Sequence, residues 1–227
     1  MLKSLLVSLL FFAQIPFPGP GRSPVSGGGG GTVTVDALGT KSRVASGAGY
    51  TGLTVGSGDL LIATLNFDGV VPTSTSVVWD AVGANQALSM CVNRDQPSGA
   101  IGSSQIWVVP APAAGNKTLS ISWTGGGNVF VLGFSVVNAD QGTPCTNATT
   151  GAAASTVNVT SQTGDMVVGC ETSGSALGTS TGTLLYSDAV SGSHVNAMCQ
   201  YDAGAASVTI GNTGTNNTIA AVSIAHN

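Results

Sequence analysis

Ser57-Gly58-Asp59 followed by Leu60-Leu61-Ile62-Ala63-Thr64-Leu65-Asn66-Phe67 sets a turn against a short, nearly unbroken apolar run. The run is too short for an ordinary core helix and is bounded by turn formers, so it reads as a buried central β-strand. The same device returns at Gly164-Asp165, which leads into Met166-Val167-Val168-Gly169-Cys170, an offset of 106 from the first. Upstream of each copy lies an alternating segment, Thr32–Leu38 in one case and Thr156–Thr160 in the other.

Further strands are expected at Val77–Trp79, Gln86–Val92, Gln105–Val109, Lys117–Trp123 and Val129–Val137, separated by short linkers of Gly, Pro, Asn and Asp. After Gly31 no segment keeps a 3.6-residue apolar period beyond two turns. Residues 113–138 align with 203–227, with Gly115/Gly204, Ile121/Ile210 and Asn128/Asn217 each 89 apart. The second copy is therefore 17 residues shorter between these anchors, the difference between 106 and 89. A period of this length marks a duplicated domain half rather than a solenoid repeat. Met90-Cys91 and Met198-Cys199 look alike, but their offset of 108 conflicts with the 89 found nearby and is read as coincidence. The expected fold is all-β: an antiparallel, jelly-roll-like β-sandwich over residues 32–227, built from halves 32–140 and 155–227.

Composition agrees. Of 227 residues, 42% are hydrophobic and only 7% charged, against roughly 25% charged in ordinary globular chains. Thr and Val favour strands, and Gly and Asn favour turns. The net charge is −4. The basic residues Lys3, Arg22, Lys41, Arg43, Arg94 and Lys117 are scattered, so no nucleic-acid face is expected. Cys91, Cys145, Cys170 and Cys199 have no CxxC spacing. Disulfides in any of three pairings and buried free thiols both remain open.

The first 26 residues differ from the rest. Lys3 followed by the apolar Ser4–Ala13 resembles the start of a secretory signal. The run stops at Pro16, too short for the roughly 20 residues that span a bilayer. No clean small-residue cleavage pattern follows Phe12. The alternative is an assembly arm: a short apolar helix over about Leu2–Gln14 packed on a neighbouring subunit, then an extended Pro-rich strap. Its contact residues would be Leu5, Leu6, Leu9, Leu10, Phe11, Phe12, Ile15 and Phe17. The five glycines of 27–31 form a flexible linker to the body.

Gly58-Asp59-Leu60-Leu61, Trp79-Asp80, Ile106-Trp107, Ala113-Ala114-Gly115, Gly164-Asp165 and Ala220–Ala225, taken in order, resemble a broad group of duplicated β-sandwich proteins. These occur in phage virions and in bacterial surface or secreted proteins. The resemblance covers residues 32–227 and implies a fold far more than a function, because its motifs are turns and core strands.

Signals for chemistry are weak. Gly178-Thr179-Ser180-Thr181-Gly182 matches G-x-S-x-G, with Asp188 and His194 following. A nucleophile elbow needs a strand before the Ser and a helix after it, and this region reads as β and turn. His194 and His226 are the two histidines and Glu171 is the single glutamate. The acidic residues show no calcium-loop spacing. Asp59 and Asp165 read as turn residues. Trp79, Trp107 and Trp123 could stack on sugars, though Trp at strand ends is more often core.

No enzyme activity, metal or cofactor is expected. The expected role is a structural virion protein, such as a phage capsid decoration, cement or head/fibre surface component. It would be anchored by its arm to other capsid proteins or to copies of itself as a homo-oligomer. The alternative is a secreted carbohydrate-binding or adhesive module at the cell surface with a signal peptide. A jelly-roll major coat protein ranks third, because residues 1–31 carry only Lys3 and Arg22 to meet a genome.

Overall fold

A computed structural model describes residues 30–47, 49–69, 71–96, 102–125, 127–188, 196–214 and 217–227. Among them, strands follow in the order β1 (Thr34–Leu38), β2 (Ser42–Val44), β3 (Gly49–Val55), β4 (Leu60–Asp68), β5 (Thr75–Trp79), β6 (Gln86–Ala87), β7 (Ser89–Asp95), β8 (Gly102–Pro110), β9 (Gly115–Trp123) and β10 (Asn128–Val137). The second half supplies β11 (Cys145–Ala154), β12 (Thr156–Val159), β13 (Met166–Ser173), β14 (Thr183–Asp188), β15 (Asn196–Ala203), β16 (Val208–Gly211) and β17 (Asn217–Ile224). No helix long and apolar enough to cross a membrane occurs among the described residues.

The strands form four antiparallel sheets. In the first half an inner sheet, β1-β10-β4-β8-β7 with β2 also on β10, faces an outer sheet, β3-β9-β5-β6. The order 1-10-4-8 against 3-9-5-6 is that of an eight-stranded jelly roll. In the second half the inner sheet β11-β17-β13-β15-β14 faces the two-stranded β12-β16. Each half thus builds its own sandwich, and the two pack through their inner sheets to give four layers.

Three cores follow from this stacking. Leu61, Ala63, Leu65 and Phe67 of β4 point into the first sandwich with Trp79, Trp107, Leu119 and Ile121. Leu60 and Ile62 point the other way, into a central core shared with Phe134, Val168, Val222 and Ile224. Val167, Ile210, Ile219 and Ala221 fill the small second sandwich. Every residue of β4 and of β13 is buried. The apolar run that opens each strand therefore has a cause: alternate side chains enter two different cores, so both faces are buried there. Each fully buried Leu, Ile or Phe contributes about 1.5–3 kcal/mol.

The halves correspond strand by strand: β1, β10, β4, β8 and β7 to β11, β17, β13, β15 and β14, and β3 and β9 to β12 and β16. Details repeat as well. Gly58 and Gly164 take positive φ, 86° and 101°, in the turn before the strand. Asp59 then accepts the Gly56 N–H at 2.8 Å, and Asp165 the Gln162 N–H at 3.3 Å. Both edge strands carry a bulge in the same place, between Met90 and Val92 and between Leu184 and Tyr186. Such bulges discourage edge-to-edge pairing. The Met90-Cys91 and Met198-Cys199 pairs lie on non-equivalent strands, β7 and β15.

The register corrects the terminal alignment by one residue. Leu60 pairs with Val136 and Met166 with Ile224, so β10 maps onto β17 with an offset of 88, not 89. The offset of 89 does hold for Ile121 and Ile210, which both point into outer cores. One residue is lost in the intervening turn. Without that loss β17 would present the wrong face to each core, because a one-residue slip inverts a strand. Much of the larger deficit lies elsewhere: 20 residues separate β4 from β7, but nine separate β13 from β14. The missing piece is the β5–β6 pair.

Strand β11 went unread in the sequence. Its residues, CTNATTGAAA, are small and none is fully buried, and its pairing with β17 is broken by two irregularities. Gly169 stands where the first half has Ala63. A Cβ placed on Gly169 would run into the Ile210 side chain, and overpacking of this kind typically costs about 1–3 kcal/mol. Gly169→Ala should lower stability by that amount in urea titrations, and combined with Ile210→Ala it should cost less than the sum of the two single variants, because the smaller side chain removes the clash.

Candidate functional site

The duplication locates the place where chemistry has been introduced. Ala63 pairs with Trp107 in the first half, and Gly169 pairs with Gln200 in the second, so Gln200 occupies the position of Trp107. By the same registers Glu171 occupies that of Leu65, and the offset of 89 that aligns Ile121 with Ile210 puts Asn212 at that of Trp123. Trp123 pairs with Thr75 of β5, and Asn212 makes a bridge to Ser180. The segment 174–182 is thus a remnant of β5. Where one half holds a Leu–Trp–Trp core, the other holds a Glu–Gln–Asn cluster.

Glu171, Gln200 and Asn212 are all buried. The Gln200 Nε2 donates to Glu171 Oε1 at 2.6 Å and to the Gly211 carbonyl at 2.7 Å. The Asn212 side-chain amide donates to Glu171 Oε2. Backbone partners fix both amides in this orientation. Gln200 Oε1 accepts the Gly182 N–H at 2.7 Å, and Asn212 Oδ1 accepts the Gly178 N–H at 3.0 Å. Through these bonds the glutamate holds the two amides that hold the loop Gly178–Gly182. Burial pushes the Glu171 carboxyl up to about 7, against the lowering pull of the Asn212 and Gln200 amides.

A second buried carboxylate lies at the opposite end of β13. Asp165 accepts from Ser223 Oγ at 2.9 Å, Ser161 Oγ at 3.2 Å, the His226 N–H at 3.1 Å and the His226 ring at 2.8 Å. Burial acts to raise its pKa, but His226, Ser223 and the Gln162 N–H outweigh that and hold it below the ordinary value. A Cβ on Gly164 would press on the His226 ring.

The residues singled out from sequence fall as follows. Ser180 Oγ donates to the Gly182 carbonyl at 3.1 Å, and Asp188 is paired with Lys41. His194 lies outside the described residues, and no strand–helix elbow surrounds Ser180. Trp79, Trp107 and Trp123 are all buried in the first sandwich, so they form no sugar platform. The arm residues Leu5, Leu6, Leu9, Leu10, Phe11, Phe12, Ile15 and Phe17 lie outside the described residues. The open cysteine question resolves into two disulfides, Cys91–Cys145 and Cys170–Cys199. Among the described residues no three His, Cys, Asp or Glu side chains converge on a metal-sized site.

No family model matches the chain, and no curated protein or solved structure matches it either.

The two carboxylates set opposite pH slopes. Asp165, with a lowered pKa, contributes stability above the ordinary aspartate range and loses it as pH falls through its folded value. Glu171, with a raised pKa, contributes fully below about 4.5 and loses that contribution as pH climbs through about 7. The upper limit of that loss is about 3 kcal/mol. Urea titrations should therefore show greatest stability near pH 4–5 and a decline toward pH 8. Glu171→Gln should abolish the decline at a fixed cost, because one of its amide hydrogens must face another amide donor.

Proposed function

We propose that this protein is a non-catalytic structural component of an extracellular assembly, specifically a surface protein of a virion anchored through residues 1–26. The observation that carries this reading is the construction of the body. Two sheets are covered on both faces, and the Cys91–Cys145 bond joins the two sandwiches across their shared core. Disulfides persist on virion and cell surfaces and outside cells, and are rare in the cytosol. In the chain-entropy picture a closed loop of this length contributes about 4 kcal/mol. The low charge of the chain suits a surface component.

A secreted adhesive or carbohydrate-binding module is the second reading, and one observation favours it. A cleft of about 310 Å³ lies between the start of β1 and the end of β15. Tyr201, Asp202, Thr32 and Thr34 line it, offering a ring, a carboxylate and hydroxyls to a sugar.

Intact-mass analysis of purified particles separates the two. The virion reading expects the full chain in the particle, and expects a variant lacking residues 1–26 to keep its melting temperature but lose attachment. A truncated protein that still attaches contradicts it. A mature N-terminus after residue 13, together with glycan binding lost in Tyr201→Ala, establishes the second reading instead.

A further inference from the structure

We infer that Cys91–Cys145 is a thiol-exchange site, a clamp between the two sandwiches that a low-molecular-weight thiol of the glutathione class can release. The inference goes beyond the assembly reading and does not depend on it.

Three observations carry it. The first is the contrast between the two disulfides. Cys170 and Cys199 face each other on adjacent strands, with Cα atoms 4.2 Å apart, and both are fully buried in the central core. Cys91 and Cys145 lie at the rim of that core, on the edge strands β7 and β11 of opposite sheets, and are only partly buried.

The second is access. A cleft of about 440 Å³ opens on the rim pair. Its walls include Met90, Val108, Pro110, Thr143 and Pro144. Met90 is 49% exposed. A small thiol can enter there, whereas the buried pair offers no such approach.

The third comes from the duplication. Val35 pairs with Val136 as Cys145 pairs with Ile224, so Val35 is the counterpart of Cys145. Leu185 sits in the β14 bulge as Cys91 sits in the β7 bulge, so Leu185 is the counterpart of Cys91. All four side chains are partly buried against the same central core. At one rim the molecule thus uses Val and Leu where the other uses a covalent bond. The rim of Val35 and Leu185 carries no disulfide, so the bond is separable from the fold.

The exchange balances as two displacements. A thiolate attacks one sulfur, forming a mixed disulfide as the Cys91–Cys145 bond breaks, and the departing cysteine thiolate takes a proton from solvent. A second thiolate attacks the mixed disulfide and releases the other cysteine. The protein pair gains two electrons, and two small thiols leave as their disulfide.

The test titrates the full-length protein with reduced glutathione, quenches with an alkylating agent and maps the label by peptide mass spectrometry. Cys91 and Cys145 should be labelled at a glutathione concentration at least about ten-fold below that needed for Cys170 and Cys199. A glutathione adduct on Cys91 or Cys145 should be captured on the way, and circular dichroism should not change. The double variant Cys91→Leu/Cys145→Val copies the other rim. It should fold, and amides of β7 and β11 should exchange faster than in the oxidised protein and as fast as in the selectively reduced one. Simultaneous reduction of both pairs, reduction only in denaturant, or a double variant that does not fold would each overturn the inference.

Discussion

The structure depends on the burial of one sheet face against another: the central contact between the two inner sheets. Leu60, Ile62, Phe134 and Val136 on one side meet Met166, Val168, Val222 and Ile224 on the other. Neither half can leave this face exposed, since a contiguous apolar sheet of this kind in water would associate with whatever it met. The contact explains why β4 and β13 each open on an apolar run and are buried along their whole length, and why the second sandwich can be so thin. Two strands, β12 and β16, suffice as its outer cover because the first half covers the other face of β13.

A few polar groups bridge this interface. Asn66 Nδ2 crosses it to donate to the Tyr186 hydroxyl at 2.9 Å and to the Met198 carbonyl at 3.3 Å. At the other end the Val33 N–H donates to the Gly164 carbonyl at 2.8 Å. These bonds fix how the sheets lie on one another, a role that apolar packing fills poorly because it is non-directional. The rims are held differently from each other, by Cys91–Cys145 on one side and by the Lys41–Asp188 ion pair on the other. Covalent strength therefore lies at one rim only.

Much of this was legible in the sequence. The Gly-Asp turns, the apolar strands after them and the duplication are local patterns, and they predict an all-β sandwich. The four-layer stack was not legible, because an unbroken apolar run says that both faces are covered without saying by what. The Glu171–Gln200–Asn212 cluster was hidden for a related reason. Each residue alone is an ordinary polar residue in a Ser- and Asn-rich chain, and only the pairing of Gly169 with Gln200 and of Ala63 with Trp107 reveals the substitution. The signal was available in the alignment of the halves, but a one-residue error at β17 and the missing β5–β6 pair obscured it. The G-x-S-x-G match had a physical meaning after all, as the loop that covers Glu171.

Native-state hydrogen exchange tests the central claim most directly. If the inner sheets form one mutually buried core, the amides of β4, β10, β13 and β17 should be the slowest to exchange. Their opening free energies should also be equal in the two halves, since neither inner sheet can be exposed without the other. Core amides of β13 and β17 exchanging through a distinct, lower-energy opening, while β4 and β10 stay protected, would contradict the account and make the second sandwich an independent unit.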